Sequence, residues 1–281
     1  MGAVTLTRRQ RRIAWQALLY ALLIVASLVV LLPYIWMVST SLKSSNEIFT
    51  PVPQLLPRNP RWQNYADVLR IYQVGQWLLN SFIVSSIEAV GVVFTSILAG
   101  YAFGRLRFWG RDAIFFIYLG AMMVPAQVTV IPTFLIVRWL GWIDTYEGLI
   151  VPKLCAFFGV FLMRQFFLNF PSELEDAAFI DGSSRWRALW QIVLPLTTPA
   201  LAALAIFSFT AAWNDFLWPL VVVNSEEMKT IQLGLASMKG ELSDWSLIMA
   251  GATLSAVPLT VLYLLLQQYF VRGVVTTGLK G

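Results

Sequence analysis

Long apolar runs, each close to twenty residues and divided by polar stretches, constrain this chain more than any other feature. A run of about 20 apolar residues spans the hydrocarbon core of a bilayer as a helix, the one open-ended structure whose backbone bonds are all satisfied within the segment. Six such runs can be read, at 13–38, 78–103, 113–137, 148–167, 199–223 and 247–271. The first is too long for a signal-peptide core and has no small-residue cleavage site after it, so it reads as a retained anchor. A hydrophobic share of 58% against 12% charged residues falls outside soluble composition. The expected fold class is an all-α membrane protein with six transmembrane helices.

Orientation follows from the arginines. Arg8, Arg9, Arg11 and Arg12 precede the first span, and Arg105, Arg107 and Arg111 lie between the second and third; both places belong in the cytoplasm. N- and C-termini are therefore expected inside, with a cytoplasmic segment at 1–12, a membrane domain at 13–271 and a cytoplasmic tail at 272–281. Residues 39–77 and 224–245 fall outside. Lys43, Arg58, Arg61 and Arg70 run against the bias, but long segments count for less in it. The proline-rich stretch 50–60 reads as an extended outer loop. The net charge of +5 is thus explained by topology, and nucleic-acid binding is set aside.

The chemistry the chain lacks narrows its function. It has no His and a single Cys155, read as a small buried hydrophobe, so neither an internal disulfide nor a transition-metal site is expected. No GxxxxGK[ST] phosphate loop, GxSxG or HExxH occurs. A catalytic role is not expected.

The polar island at 171–195, PSELEDAAFIDGSSRWRALWQIVLP, should sit on the inner face. Ser172 and Glu175 have capping-box spacing, which starts a helix at Glu173. Glu173, Glu175 and Asp176 load its first turn with the charge the helix dipole favours. Ala177 and Ala178 keep it small, and Gly182 suits the left-handed conformation that ends it. Ser183 and Ser184 then cap a second helix, in which Trp186, Leu189, Trp190 and Val193 recur at helical spacing until Pro195 stops it.

Asp176-Ala177-Ala178, three residues, Gly182, nine residues, Ile192, one residue and Leu194-Pro195 together resemble the EAA loop of ABC-importer permeases. Asp176 stands where that family most often has Glu. TSLK at 40–43, Asn80-Ser81, WNDFLWPL at 213–220 and the tail QQYFVRGVVTTGLKG at 267–281 extend the likeness to carbohydrate importers of the maltose or glycerol-phosphate kind. The resemblance implies a type I importer permease fold in a prokaryotic plasma (inner) membrane. It also implies a second homologous permease subunit, two ATPase subunits that bind ATP and Mg²⁺, and an extracytoplasmic solute-binding protein. This chain would hold no cofactor. Glu173, Glu175, Asp176, Ala177, Ala178, Asp181 and Gly182 would form the ATPase-coupling helix, and Gly234, Leu235, Ser237, Lys239 and Gly240 would lie in the loop that meets the binding protein. From the residues alone that last segment is a solvated loop.

For the solute path the residues offer alternatives. Glu88, in the middle of the second span, costs about 2.5–3.5 kcal/mol at the bilayer centre on insertion scales. It either lines a path or posts a hydrogen bond, or is a carboxyl tolerated beside water. Lys153 and Arg164 read as snorkelling side chains. Trp213, Asn214, Asp215 and Trp218 combine rings with polar groups as a sugar path would, or anchor the interface. Pro219 is a candidate kink, and Gly100 with Gly104 a close-packing pair. The expected function is a sugar-importer permease; a non-sugar cargo, or an ion-coupled carrier with midplane charges and broken helices, is the alternative.

Overall fold

The computed structural model of the 281-residue chain describes residues 8–239 and 244–278, with side chains to Gln267. Among the described residues there are helices and no strands. In chain order they are α1 (Arg8–Ser41), α2 (Ser45–Ile48), α3 (Gln63–Ile71), α4 (Val74–Arg105), α5 (Arg111–Ala121), α6 (Ala126–Trp139), α7 (Tyr146–Ile150), α8 (Phe157–Leu168), α9 (Ser172–Ile180), α10 (Arg185–Ala188), α11 (Leu194–Leu196), α12 (Thr198–Trp213), α13 (Leu217–Val222), α14 (Ile231–Ser237) and α15 (Trp245–Gly278). Three are long and apolar enough to cross a membrane: α1, α4 and α15 up to Gln267. Three bent pairs pass the same test together, so by length and composition the described residues offer three helices able to cross, or up to six crossings if each pair is one. The pairs are α5 with α6, bent 97°; the 146–153 and 157–168 segments, bent 41°; and the 185–196 segment with α12, bent 80°.

The contacts fall into two units. In the first, residues up to 70 together with 241–253, the TSLK segment organises the turn after α1. Asn64 Nδ2 donates to the carbonyls of Ser41 and Lys43 at 2.8 and 2.9 Å. Ser41 Oγ meets Tyr65 Oη at 2.7 Å, and Lys43 Nζ donates to the Gln54 carbonyl at 2.5 Å while lying 4.5 Å from the Trp36 ring centre. Residues 50–61 form neither helix nor strand and bend repeatedly between these ties, where an extended course was expected for 50–60. Buried Lys43 shows how an ammonium is tolerated there: its head is met by a carbonyl and a ring face.

The second unit, 71–240 and 254–281, is built on α4. Trp77, Ser81, Ser85, Glu88, Val92, Ser96, Gly100 and Gly104 are buried at steps of three or four residues. Beyond its first turn its exposed positions are large and apolar, among them Phe82, Ile87, Val90 and Phe94. Small residues among those turned inward, with bulky hydrophobes outside, is the pattern of a helix that lets a neighbour's backbone approach in lipid. A Cβ at Gly100 would lie 2.6 Å from Met163 Cβ, and one at Gly159 would lie 2.2 Å from Ser96 Oγ, so α4 and α8 meet nearly backbone to backbone. The Gly100 and Gly104 pair is a packing device, as expected.

Two clusters of apolar side chains cement this unit. One joins Val92, Ile97 and Tyr101 of α4 to Met163 and Phe167 of α8 and to Leu189, Val193 and Leu204. The other joins Val84 to Val137, Leu149, Ile150, Trp218, Val222 and Leu233. Asn80 and Ser81 pin the segment after α13. Asn80 Nδ2 donates to the carbonyls of Glu227 and Lys229 at 2.6 and 2.9 Å, and Ser81 Oγ accepts from Ile231 N at 2.7 Å.

Two local expectations are corrected. The run at 199–223 is broken: α12 ends at Trp213 and α13 begins at Leu217. The break precedes Pro219, which sits in the first turn of α13, where its missing N–H would be unpaired in any case. Pro195 does not end the second inner helix either. Residues Leu189–Val193 form a π-turn closed by Leu194 N on the Leu189 carbonyl, and the helix runs on through Leu196. The wider turn accommodates a proline that cannot donate within the ladder.

Candidate functional sites

The hairpin expected on the inner face is formed by α9 and α10. Gly182 has φ of +82°; Ser183 N donates to the Ala178 carbonyl at 2.9 Å and Gly182 N to Phe179 at 3.1 Å. This six-to-one and five-to-two pair is a Schellman closure with Gly182 at the left-handed position. Ser184 Oγ then accepts from Arg187 N at 3.2 Å and caps α10. The expected capping box is absent: α9 begins at Ser172, Pro171 occupies the N-cap position, and no side chain caps it.

The reason lies in Glu175. It is 5% exposed and faces α4: Tyr101 Oη donates to Glu175 Oε1 at 2.9 Å, and Arg105 Nε lies 2.7 Å from Oε2. The Arg105 N–H direction is off the line of a hydrogen bond, so this contact is an ion pair; Arg105 Nη2 also donates to the Phe170 carbonyl at 2.7 Å. Ala178 is buried beside Glu175, whereas Glu173, Asp176, Ala177, Asp181 and Gly182 are exposed. So are Ile180 and Trp186, at 86% and 60%. One face of α9 is thus fixed to α4 and the other presents acid and apolar side chains outward. Tyr101 and Arg105 were not recognised from sequence as partners of the hairpin; their i, i+4 spacing at the C-terminal end of α4 was the available signal.

A second site lies deeper. A cavity of about 360 Å³ is lined by Glu88 of α4, Thr129 and Thr133 of α6, Lys153 and Cys155 of the turn before α8, Asp215 of the α12–α13 break and Trp218 of α13. Lys153 forms an ion pair with Asp215. It is therefore turned into the interior instead of snorkelling, because a carboxylate there offers better company than the interface. Arg164 likewise has protein partners, lying 3.9 Å from the Phe115 ring centre and 3.5 Å from Asp112 Oδ1. Cys155 is exposed, contrary to the buried reading, with its Sγ 3.5 Å from Tyr118 Oη.

Of the path residues expected from sequence, Glu88, Asp215 and Trp218 come together here. Trp218 is held in place by Nε1 donating to the Gly148 carbonyl at 3.0 Å. Trp213 and Asn214 do not join them. Trp213 is buried and stacks on Phe209 with ring centres 5.7 Å apart, and Asn214 donates to the Thr210 carbonyl at 2.9 Å and accepts from Gln232 at 3.3 Å.

The outer segment expected as a solvated loop contains α14. Gly234 is buried, and a Cβ there would lie 2.1 Å from the Trp77 ring; only a bare backbone fits against it. Leu235 is half-buried, and Ser237 and Lys239 are exposed. Gly240 lies outside the described residues.

A membrane permease, helical throughout its described residues, with a closed helical hairpin at α9–α10 and a charged cavity beside α4, is the class these features define. Residues 91–276 match the model of the binding-protein-dependent transport system inner membrane component family, and the chain belongs to that family. It is 36% identical over 266 residues, covering 91% of this chain and 94% of the relative, to the sn-glycerol-3-phosphate transport system permease protein UgpE of Yersinia pestis. It is also 34% identical over 253 residues to the probable ABC transporter permease protein YurM of Bacillus subtilis, covering 89% and 83%. A solved chain of a bacterial ABC transporter that imports the acidic polysaccharide alginate superposes with a TM-score of 0.81 at 26% identity, covering 95% of this chain and all of that one. The fold is thus that of a type I ABC-importer permease.

Proposed function

We propose that this permease carries a sugar or sugar derivative into the cytoplasm by alternating access, powered by two separate ATPase subunits that bind ATP and Mg²⁺. A second, homologous permease subunit completes the pathway, and an extracytoplasmic binding protein delivers the solute. Both termini lie in the cytoplasm, which puts the α9–α10 hairpin where an ATPase can reach it. Relatives named for glycerol phosphate and alginate transport support the cargo class.

The observation that carries the mechanism is the two-sided character of α9. Glu173, Asp176 and Asp181 face outward, with Ala177 allowing close approach, while Glu175 locks the helix to Arg105 and Tyr101 of α4. Closure of the ATPase pair moves α9, and the Glu175 bridge passes that motion to the helix that lines the cavity. Driving such an equilibrium from 1:99 to 99:1 takes about 5.5 kcal/mol of differential binding, so the joint has to be firm. Lys239 and Ser237, exposed at the end of α14, are placed in this reading on the face that meets the binding protein. Co-purification of the chain with an ATPase subunit, followed by ATP-dependent sugar uptake in reconstituted vesicles, tests the proposal. Uptake that persists without nucleotide, or follows an ion gradient, would refute it.

A further inference from the structure

The cavity between α4, α6 and the α12–α13 break has an unequal set of charges. Lys153 is matched by Asp215, and Glu88, only 8% exposed, is a second carboxyl with Lys153 and Asp215 as its charged neighbours. Lys153 is the one basic residue among the lining residues. Volume and chemistry suit a small polar solute: about 360 Å³ is within the range of ligand pockets, which is about 300–1,000 Å³. The carboxyls of Glu88 and Asp215 and the hydroxyls of Thr129 and Thr133 supply acceptors for the O–H groups of a polyol.

We propose that this cavity recognises uncharged, hydroxyl-rich solutes and turns anionic ones away; the inference rests on the permease reading above. An entering phosphate or carboxylate would find the single ammonium already held by Asp215 and would face the Glu88 carboxyl, in a site where like charges are poorly screened. A neutral sugar exchanges water for hydrogen bonds to the same groups at no Coulomb cost. Two of the similar proteins are named for anionic cargo, a glycerol phosphate and an acidic polysaccharide. In this reading the chain differs from both in selectivity, within the same transport class.

Cys155, the single cysteine of the chain, is exposed and lines the cavity, so it reports the local potential directly. In the assembled transporter in membranes, its modification would be timed by mass spectrometry of this subunit. The probes are a cationic trimethylammonium-ethyl and an anionic sulfonato-ethyl methanethiosulfonate, each normalised to its rate with free cysteine. The cationic reagent should react about fivefold faster, and Glu88→Gln should bring the ratio close to one. A ratio at or below one, a ratio unchanged by Glu88→Gln, or no reaction with either reagent overturns the proposal. ATP-driven uptake of radiolabelled glycerol 3-phosphate by the same preparation would overturn the selectivity and leave the permease assignment standing. Absence of ATP-driven uptake for every sugar tried, with normal labelling, would count against the permease reading and not against the charge of the cavity.

Discussion

Arg105 meets Glu175 across the junction of α4 and α9, Nε to Oε2 at 2.7 Å, with the two side chains 15% and 7% exposed. Neither residue is near the other in sequence, yet the pair ties α9 to the C-terminal end of α4. Tyr101 Oη, donating to the other carboxylate oxygen at 2.9 Å, makes the joint resist rotation as well as stretching.

Glu175→Gln should weaken this joint. The amide keeps an acceptor for Tyr101 and loses the charge that holds Arg105, at a cost of about 1–3 kcal/mol, in line with a charged hydrogen-bonded group left without its partner. The expected phenotype is a complex that assembles and hydrolyses ATP while uptake falls severalfold. Paired ATPase and uptake measurements check it; unchanged coupling would show that α9 acts without the bridge.

At Gly182 the argument is one of backbone alone. A Cβ there meets nothing within 4 Å, but φ is +82°, and an L-residue in that region costs about 1–2 kcal/mol. Gly182→Val should reduce uptake with normal membrane insertion, whereas Gly182→Asn, which tolerates the left-handed region, should retain most of it. Equal activity in both variants, at verified expression, would remove the closure from the mechanism.

Gly234 faces the opposite constraint, space rather than conformation. A side chain there collides with the Trp77 ring, so Gly234→Leu should cost about 1–3 kcal/mol by overpacking and displace α14 from α4. Thermal unfolding of the purified protein should start several degrees lower. An unchanged melting profile would mean that α14 does not rest on Trp77 in solution.

Asp144 ties the loop after α6 to the segment after α13, its Oδ1 accepting from the backbone N–H of Asn224 and Ser225 at 3.0 Å each. Burial alone would raise its carboxyl pKa, but the Ser225 and Asn224 donors outweigh it and hold the group below its ordinary value of 3.8. The folded value is depressed, so the stabilisation is complete above about pH 4 and is lost as the pH falls through the lower folded value. Asp144→Asn should therefore unfold earlier than the parent at pH 6, with the gap narrowing below pH 4. Melting curves over that range check the sign, and a gap that widens in acid would contradict it.

Much of the hairpin was legible because its signals are local. Gly182 and Ser184 are where a left-handed residue and an N-cap belong by spacing alone, and the structure puts them there. The non-helical course of the proline stretch at 50–60, and the Gly100 and Gly104 contact, were legible for the same reason. The capping box failed because Ser172 and Glu175 satisfy a local rule that a distant partner overrides: Arg105 offers Glu175 a full charge, and a backbone N–H offers only a dipole. Lys153 failed in the same way once Asp215 was folded beside it.

The sequence by itself determined that this chain lives in a membrane, that it is helical, and where its inner hairpin turns, since hydropathy, helical period and turn chemistry act between neighbours. Which carboxylate is held inward, which lysine is neutralised, and why Gly234 has to be bare were decided by the tertiary structure. Those outcomes depend on charges and rings brought together from residues 62 to 157 positions apart, where burial makes an unpaired charge or a stray methyl group far more costly than it is in water.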